Sequence, residues 1–232
     1  MHPAPPDSPS EAPSTRGRLA APLPLLLFAL LSFALLLVLV AARWNPLMET
    51  DTDISRSLHR EAVADPGLTR ANRVLSDWVW DPWTMRALCA VVVVGLAWRL
   101  RDAVLAGWVA ATCLLGTLLQ QALKALVDRP RPVWPDPVDS AHYAAFPSGH
   151  AMTATVVCGL LLWLLRRHGA GRALWRTALV VSVVSVLGVG LTRLWLGVHW
   201  PSDVAGGWLL GAFTVLLSTV AYERWRGAGG GS

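Results

Sequence analysis

The stretch LAAPLPLLLFALLSFALLLVLVAA, residues 19–42, runs for 24 residues without a charge. About 20 apolar residues cross the hydrocarbon core of a bilayer as a helix, so this segment is long enough to span with some tilt. A cleaved signal peptide is the competing reading. The run is longer than a signal core, and Ala41-Ala42-Arg43 is a poor cleavage site, so a retained helix is expected. Five further apolar segments follow, roughly Trp83–Trp98, Ala103–Leu123, Ala151–Leu165, Thr177–Thr192 and Val204–Tyr222. The expected fold is therefore all-α, a six-transmembrane-helix bundle over residues 19–226. A Pro-, Ser- and Ala-rich disordered tail is expected at 1–18, and a flexible Gly-rich tail at 227–232.

The longest polar stretch, Trp44 to Trp83, separates the first two spans. Capping residues at Glu49–Asp53 precede Ile54, Leu58 and Ala62 at four-residue spacing. Pro66-Gly67 interrupts the pattern before Leu68, Ala71, Leu75 and Trp78 resume it. This predicts two short amphipathic helices on the membrane surface, with Trp78, Trp80 and Trp83 at headgroup depth.

Composition supports the bilayer. Of the 232 residues, 54% are hydrophobic and 15% charged, against about 25% charged in a soluble domain. The net charge of +5 comes from scattered arginines and the single Lys124, in short loops between apolar runs. That is the flank pattern of a membrane protein and excludes a nucleic-acid-binding stripe. Cys89, Cys113 and Cys158 sit within apolar runs without metal-type spacing, so they read as small buried hydrophobes. Arginines cluster in the short loops after spans two, four and six, which predicts cytoplasmic termini and outward-facing loops after spans one, three and five.

Three boundary segments carry chemistry, and all follow odd-numbered spans on one membrane face. Lys124-x6-Arg131 places Lys124, Arg129 and Arg131 where cations need an anionic partner. Phe146-Pro147-Ser148-Gly149-His150 opens span four, where free N–H groups favour an anion and His150 stands at the mouth. Arg193-x5-His199-x3-Asp203 supplies a planar cation, a candidate nucleophile and a carboxylate one helical turn away to hold its tautomer. Together they form an inventory for metal-free phosphoryl transfer. No cofactor or metal is expected.

In their order and spacing, Lys124-x6-Arg131-Pro132, Pro147-Ser148-Gly149-His150 and Arg193-x5-His199-x3-Asp203 resemble the three-part signature of the type-2 phosphatidic acid phosphatase superfamily. One departure is Thr192, where the family usually carries Ser before the Arg. The resemblance implies a multi-pass cell-membrane phosphatase acting on a lipid phosphate or pyrophosphate. Undecaprenyl pyrophosphate is the first choice, with phosphatidate or phosphatidylglycerophosphate next. It implies attack on phosphorus by His199, ring orientation by Asp203, and acid–base work by His150. Lys124, Arg131, Ser148, Gly149 and Arg193 would hold the phosphate oxygens. Arg129 is read as flanking the site, His59 as a surface residue, and Trp134, His142 and Tyr143 as solvated loop. A non-enzymatic lipid-phosphate binder or transporter, and a vanadate-dependent peroxidase, are the alternatives.

Overall fold

The computed structural model describes residues 22–229. Helix α1, Pro22–Ala41, is the charge-free first span. Arg43 turns the chain at a positive φ of 50°, and Pro46 starts α2, Asn45–Ala64. Asp65 accepts the Leu68 N–H at 2.9 Å and caps α3, Pro66–Val74, which runs on into a π turn at Leu75–Val79. Asp81 caps α4, Pro82–Trp98, by accepting from Trp83 N at 2.7 Å. Asp102 caps α5, Ala103–Val127, through Leu105 N at 2.9 Å. Then come α6, Gly149–Arg167, α7, Arg172–Trp195, and α8, Pro201–Gly229. Pro46, Pro66, Pro82 and Pro201 all stand in first turns, where their missing N–H is harmless.

Among the described residues six helical segments are long and apolar enough to cross a membrane, as the hydropathy pattern predicts. Several exceed the apolar cores read from sequence, because snorkelling Arg and Trp extend each end. Helix α8 continues through Gly229, so residues 227–229 extend the helix instead of forming a tail. The expected tail at 1–18 lies outside the described residues.

Helices α6 and α8 form the centre; α8 packs along α6 and α1, α6 also meets α7, and α4 pairs with α5. Close approach at the centre requires Gly207: a Cβ there would stand 2.6 Å from the Ser148 carbonyl oxygen. The core spans the layers with Phe33, Leu105, Phe146, Met152, Leu160 and Tyr222. At the site end Trp78 is 75% and Trp83 76% exposed, the position of an aromatic belt. Trp80 instead turns inward, filling the space above Gly188. The three cysteines are free, and the Cys89 and Cys113 sulfurs lie 3.2 Å apart between α4 and α5.

The segment between the first two spans departs from expectation. Helix α2 spans 20 residues, and its inward face is Asp51, Ser55, His59 and Ala62; Ile54 points out. Asp51 and His59 turn inward because their partners stand there, Arg129 and Ser202 for the carboxylate and Trp134 for the ring, while Asp53, Arg56, Arg60 and Glu61 face out. Thr69 Oγ1 donates to the Ala62 carbonyl at 2.7 Å and accepts from Trp195 Nε1 at 2.9 Å, tying α2 and α3 to α7. These helices form a wall of the protein rather than lying loose on the membrane.

Candidate active site

The three boundary segments meet at one end of the bundle. Helix α5 stops because Asp128 takes a left-handed conformation, φ 42° and ψ 44°, and because Pro130 and Pro132 cannot continue it. The following loop is stitched to the other two segments by backbone bonds: Ala145 N–H to Arg129 O at 2.8 Å, and Ser148 N–H to Asp203 O at 2.9 Å. Helix α7 ends at Trp195, and Gly197 reverses the chain at φ 67°. A side chain at Gly197 would also meet Trp134 Nε1 at 2.7 Å. Pro201 then starts α8 and sets Asp203 in its first turn.

His199 is buried, with Nδ1 3.3 Å from Asp203 Oδ2. Arg131 Nη1 donates to His199 Nε2 at 3.1 Å, so Nε2 holds the lone pair and Nδ1 the proton. Asp203 Oδ2 also accepts the Trp200 N–H at 2.9 Å. Burial, followed by the charges of Arg131, Arg193 and Lys124, pushes the His199 pKa well below its ordinary value, so the ring is neutral at pH 7.

A cavity of about 300 Å³ is lined by Lys124, Arg131, Gly149, His150, Arg193 and His199 among others. Both histidines therefore face one space on one side of the bundle. Arg131 is held by Tyr143 O at 2.7 Å and Val198 O at 2.6 Å. Burial, with Arg193 nearby, lowers its pKa to about 10, which leaves it a cation. Lys124 Nζ donates to the Ala144 carbonyl, and Arg193 Nη1 to Ser76 Oγ at 2.7 Å. Ser148 Oγ and Arg193 Nε are buried without a hydrogen-bond partner, and Ser148 does not cap α6 with its side chain. Unspent donors at a helix N-terminus, among cations, suit an anion's oxygens. At Gly149 the volume a Cβ would take holds the Gln120 amide, 2.7 Å away, so α5 also presses on this turn.

Of the residues singled out from the three segments, Lys124, Arg131, Gly149, His150, Arg193 and His199 line the cavity, while Asp203 stands behind His199 and Ser148 is buried beside Gly149. The structure also corrects several readings. Arg129 does not flank the site: buried, it bonds Asp203 Oδ1 and Asp51 Oδ2, each at 2.7 Å. Asp51, 1% exposed, was not identified from sequence. Breaking such a buried pair by removing one partner costs about 3–5 kcal/mol. His59 is also buried, stacked on Trp134 with ring centroids 4.4 Å apart. His142 and Tyr143 are exposed, as read from the sequence, and stand at the rim of the cavity; Arg86, whose Nε is buried without a partner, also lines it. Ser76 reaches Arg193 from the π turn, a distortion often found at functional sites.

A profile described as the PAP2 superfamily matches residues 105–226, over half of the chain. This chain belongs to the PAP2 superfamily. It is 38% identical over 159 residues to decaprenylphosphoryl-5-phosphoribose phosphatase of Mycobacterium tuberculosis, covering 66% of this chain and 80% of that one. It is 34% identical over 102 residues to phosphatidylglycerophosphatase B of Bacillus subtilis, covering 43% of this chain and 49% of the relative, about half its length. The crystal structure of a transmembrane PAP2-type phosphatidylglycerolphosphate phosphatase from Bacillus subtilis superposes with a TM-score of 0.73 at 24% identity. That match covers 84% of this chain and 96% of the other, and establishes the shared fold.

Proposed function

We propose that this chain is a multi-pass membrane phosphatase that hydrolyses a lipid phosphate or diphosphate through a phosphohistidine. The observation that carries the reading is the convergence of His150, His199 and the cations Lys124, Arg131 and Arg193 on one cavity. His199 Nε2 attacks phosphorus while Arg131 moves its donor from that nitrogen to a phosphate oxygen. Asp203 holds the Nδ1 proton and balances the positive charge that develops on the ring. His150 gives a proton to the leaving oxygen, then takes one from water so that hydroxide displaces phosphate from His199. Lys124, Arg131, Arg193, Ser148 and the first N–H groups of α6 hold the equatorial oxygens and supply electrostatic stabilisation.

A cavity at the bundle's end suits an amphiphile whose tail remains in the bilayer. A relative matched over 80% of its own length is named for a decaprenyl lipid, which supports trying polyprenyl-linked phosphates before phosphatidate or phosphatidylglycerophosphate. Undecaprenyl pyrophosphate stays the first substrate to try. The loops holding Arg99, Arg101, Arg166, Arg167, Arg172 and Arg176 lie at the end away from the cavity, which supports cytoplasmic termini and an outward-facing site. Phosphate release from a panel of polyprenyl and glycerolipid phosphates by purified protein tests the reading. Wild type is expected to release phosphate and His199→Ala to release none; equal rates would leave only a binder.

A further inference from the structure

We propose that Asp51, on α2 and outside the residues matched by the family profile, is a positioning residue that aims Asp203 at His199. The proposal rests on the phosphatase reading above.

Asp51 reaches Asp203 by two routes. Its Oδ1 accepts the Ser202 N–H at 2.9 Å, in the first turn of α8. Its Oδ2 accepts from Ser202 Oγ and, at 2.7 Å, from Arg129 Nη2. Arg129 Nη1 in turn donates to Asp203 Oδ1 and to Ser202 Oγ, each at 2.7 Å. One oxygen of Asp203 is thereby committed to Arg129, and the other, Oδ2, is left for Trp200 N–H and His199 Nδ1. Asp51, Arg129, Ser202 and Asp203 are all buried. In so dry a setting each bond restricts orientation strongly.

Charge makes the same case. Around His199 stand Lys124, Arg131 and Arg193, with His150 across the cavity. Asp139, 4.0 Å from Arg193, offsets part of the charge of these cations, but with Arg129 alone the carboxylate that touches the His199 ring would be neutralised. With Asp51 present, the Asp51–Arg129–Asp203 set carries one net negative charge, and it becomes neutral as the ring becomes positive. Asp51 thus lets Asp203 act as an anion toward His199. Helix α2 grips the other side of the same turn too: His59 stacks on Trp134, whose Nε1 donates to the Gly197 carbonyl at 2.9 Å.

The test is steady-state kinetics per mole of folded protein, with inorganic phosphate as competitive inhibitor. Asp51→Asn is expected to lower kcat about 10–100-fold, the range found when partners one shell behind a reacting group are removed. KM and the phosphate inhibition constant should stay within about twofold, because the cations of the cradle do not touch Asp51. In an Arg129→Met background the same substitution should cost clearly less than it does in wild type, since one of its two routes runs through that guanidinium while the Ser202 route remains. Three results overturn the proposal: a kcat for Asp51→Asn within twofold of wild type, a rise in KM and the inhibition constant matching the loss in kcat, or a fully multiplicative loss beside Arg129→Met. Should Asp51→Asn not fold, Asp51→Glu keeps the charge but displaces the carboxylate from Ser202. A lowered kcat at unchanged KM then supports the proposal, and wild-type kcat overturns it. An inactive wild-type protein would sink the phosphatase reading instead, so the two failures are told apart.

Discussion

Arg131 Nη1 donates to His199 Nε2 at 3.1 Å, placing a cation of the cavity on the lone pair proposed to attack phosphorus. The contact fixes the tautomer and holds the ring neutral, and an arriving phosphate oxygen competes for the same guanidinium.

Arg131→Ala is therefore expected to lower kcat/KM about 10²–10³-fold, or about 2.7–4 kcal/mol, the loss typical of one transition-state donor. Arg131→Lys should recover little. A single ammonium cannot keep the bonds to Tyr143 O and Val198 O while facing His199. Kinetics on a lipid phosphate check this, and full activity in Arg131→Lys would refute the forked geometry.

The lowered pKa of His199 couples acid to stability. The folded ring binds its proton only well below pH 6.5, whereas the unfolded ring binds it near 6.5. The unfolded state thus holds more protons in that window, so the stabilisation is complete above about pH 6.5 and is lost as pH falls below it. The slope approaches about 1.4 kcal/mol per pH unit for one proton. Thermal melting in detergent at pH 7.5 and 5.5 should show a larger acid penalty for wild type than for His199→Asn. Equal penalties would argue against a buried neutral ring.

Gly207→Val should loosen the α6–α8 contact, since a Cβ would stand 2.6 Å from Ser148 O and 3.0 Å from the Ala151 Cβ. Overpacking of this kind costs about 1–3 kcal/mol. Both melting temperature and kcat should fall, because Ser148 is proposed to hold a phosphate oxygen; an unchanged Tm would contradict the packing.

Among the described residues no three His, Cys, Asp or Glu side chains converge to hold a metal. With cations and N–H donors facing the anion instead, EDTA should leave activity intact. Vanadate, which copies five-coordinate phosphorus, should inhibit at concentrations well below those of phosphate. Strict metal dependence, or indifference to vanadate, would contradict the proposed cradle.

Much of this was legible in the chain. Six apolar runs defined the bundle, and the alternation of helix direction put Lys124, His150 and His199 on one face. What sequence concealed was pairing across distance. Nothing local shows that Arg129 rather than Arg131 is the cation spent on carboxylates, because its partners Asp51 and Asp203 lie 78 and 74 positions away. Helix α2 was misjudged for a physical reason. Apolar positions normally mark the inward face, but here Ile54 faces outward and Asp51, Ser55 and His59 turn in, Asp51 to Arg129 and Ser202 and His59 to Trp134. The same four-residue spacing, read on the polar residues, would have found that face.

The proposed phosphohistidine can be tested by trapping. Lipid substrate labelled at its terminal phosphorus is mixed with wild type, His150→Ala and His199→Gln, quenched in alkali, and the protein analysed for bound label. With a diphosphate, whose leaving phosphate needs little protonation, loss of His150 should slow release of phosphate from the enzyme more than its transfer, so His150→Ala is expected to accumulate an alkali-stable, acid-labile phosphoryl group on His199, with none in His199→Gln. Turnover by wild type with no labelled protein in any variant, or label on a residue other than His199, would contradict covalent catalysis by this imidazole.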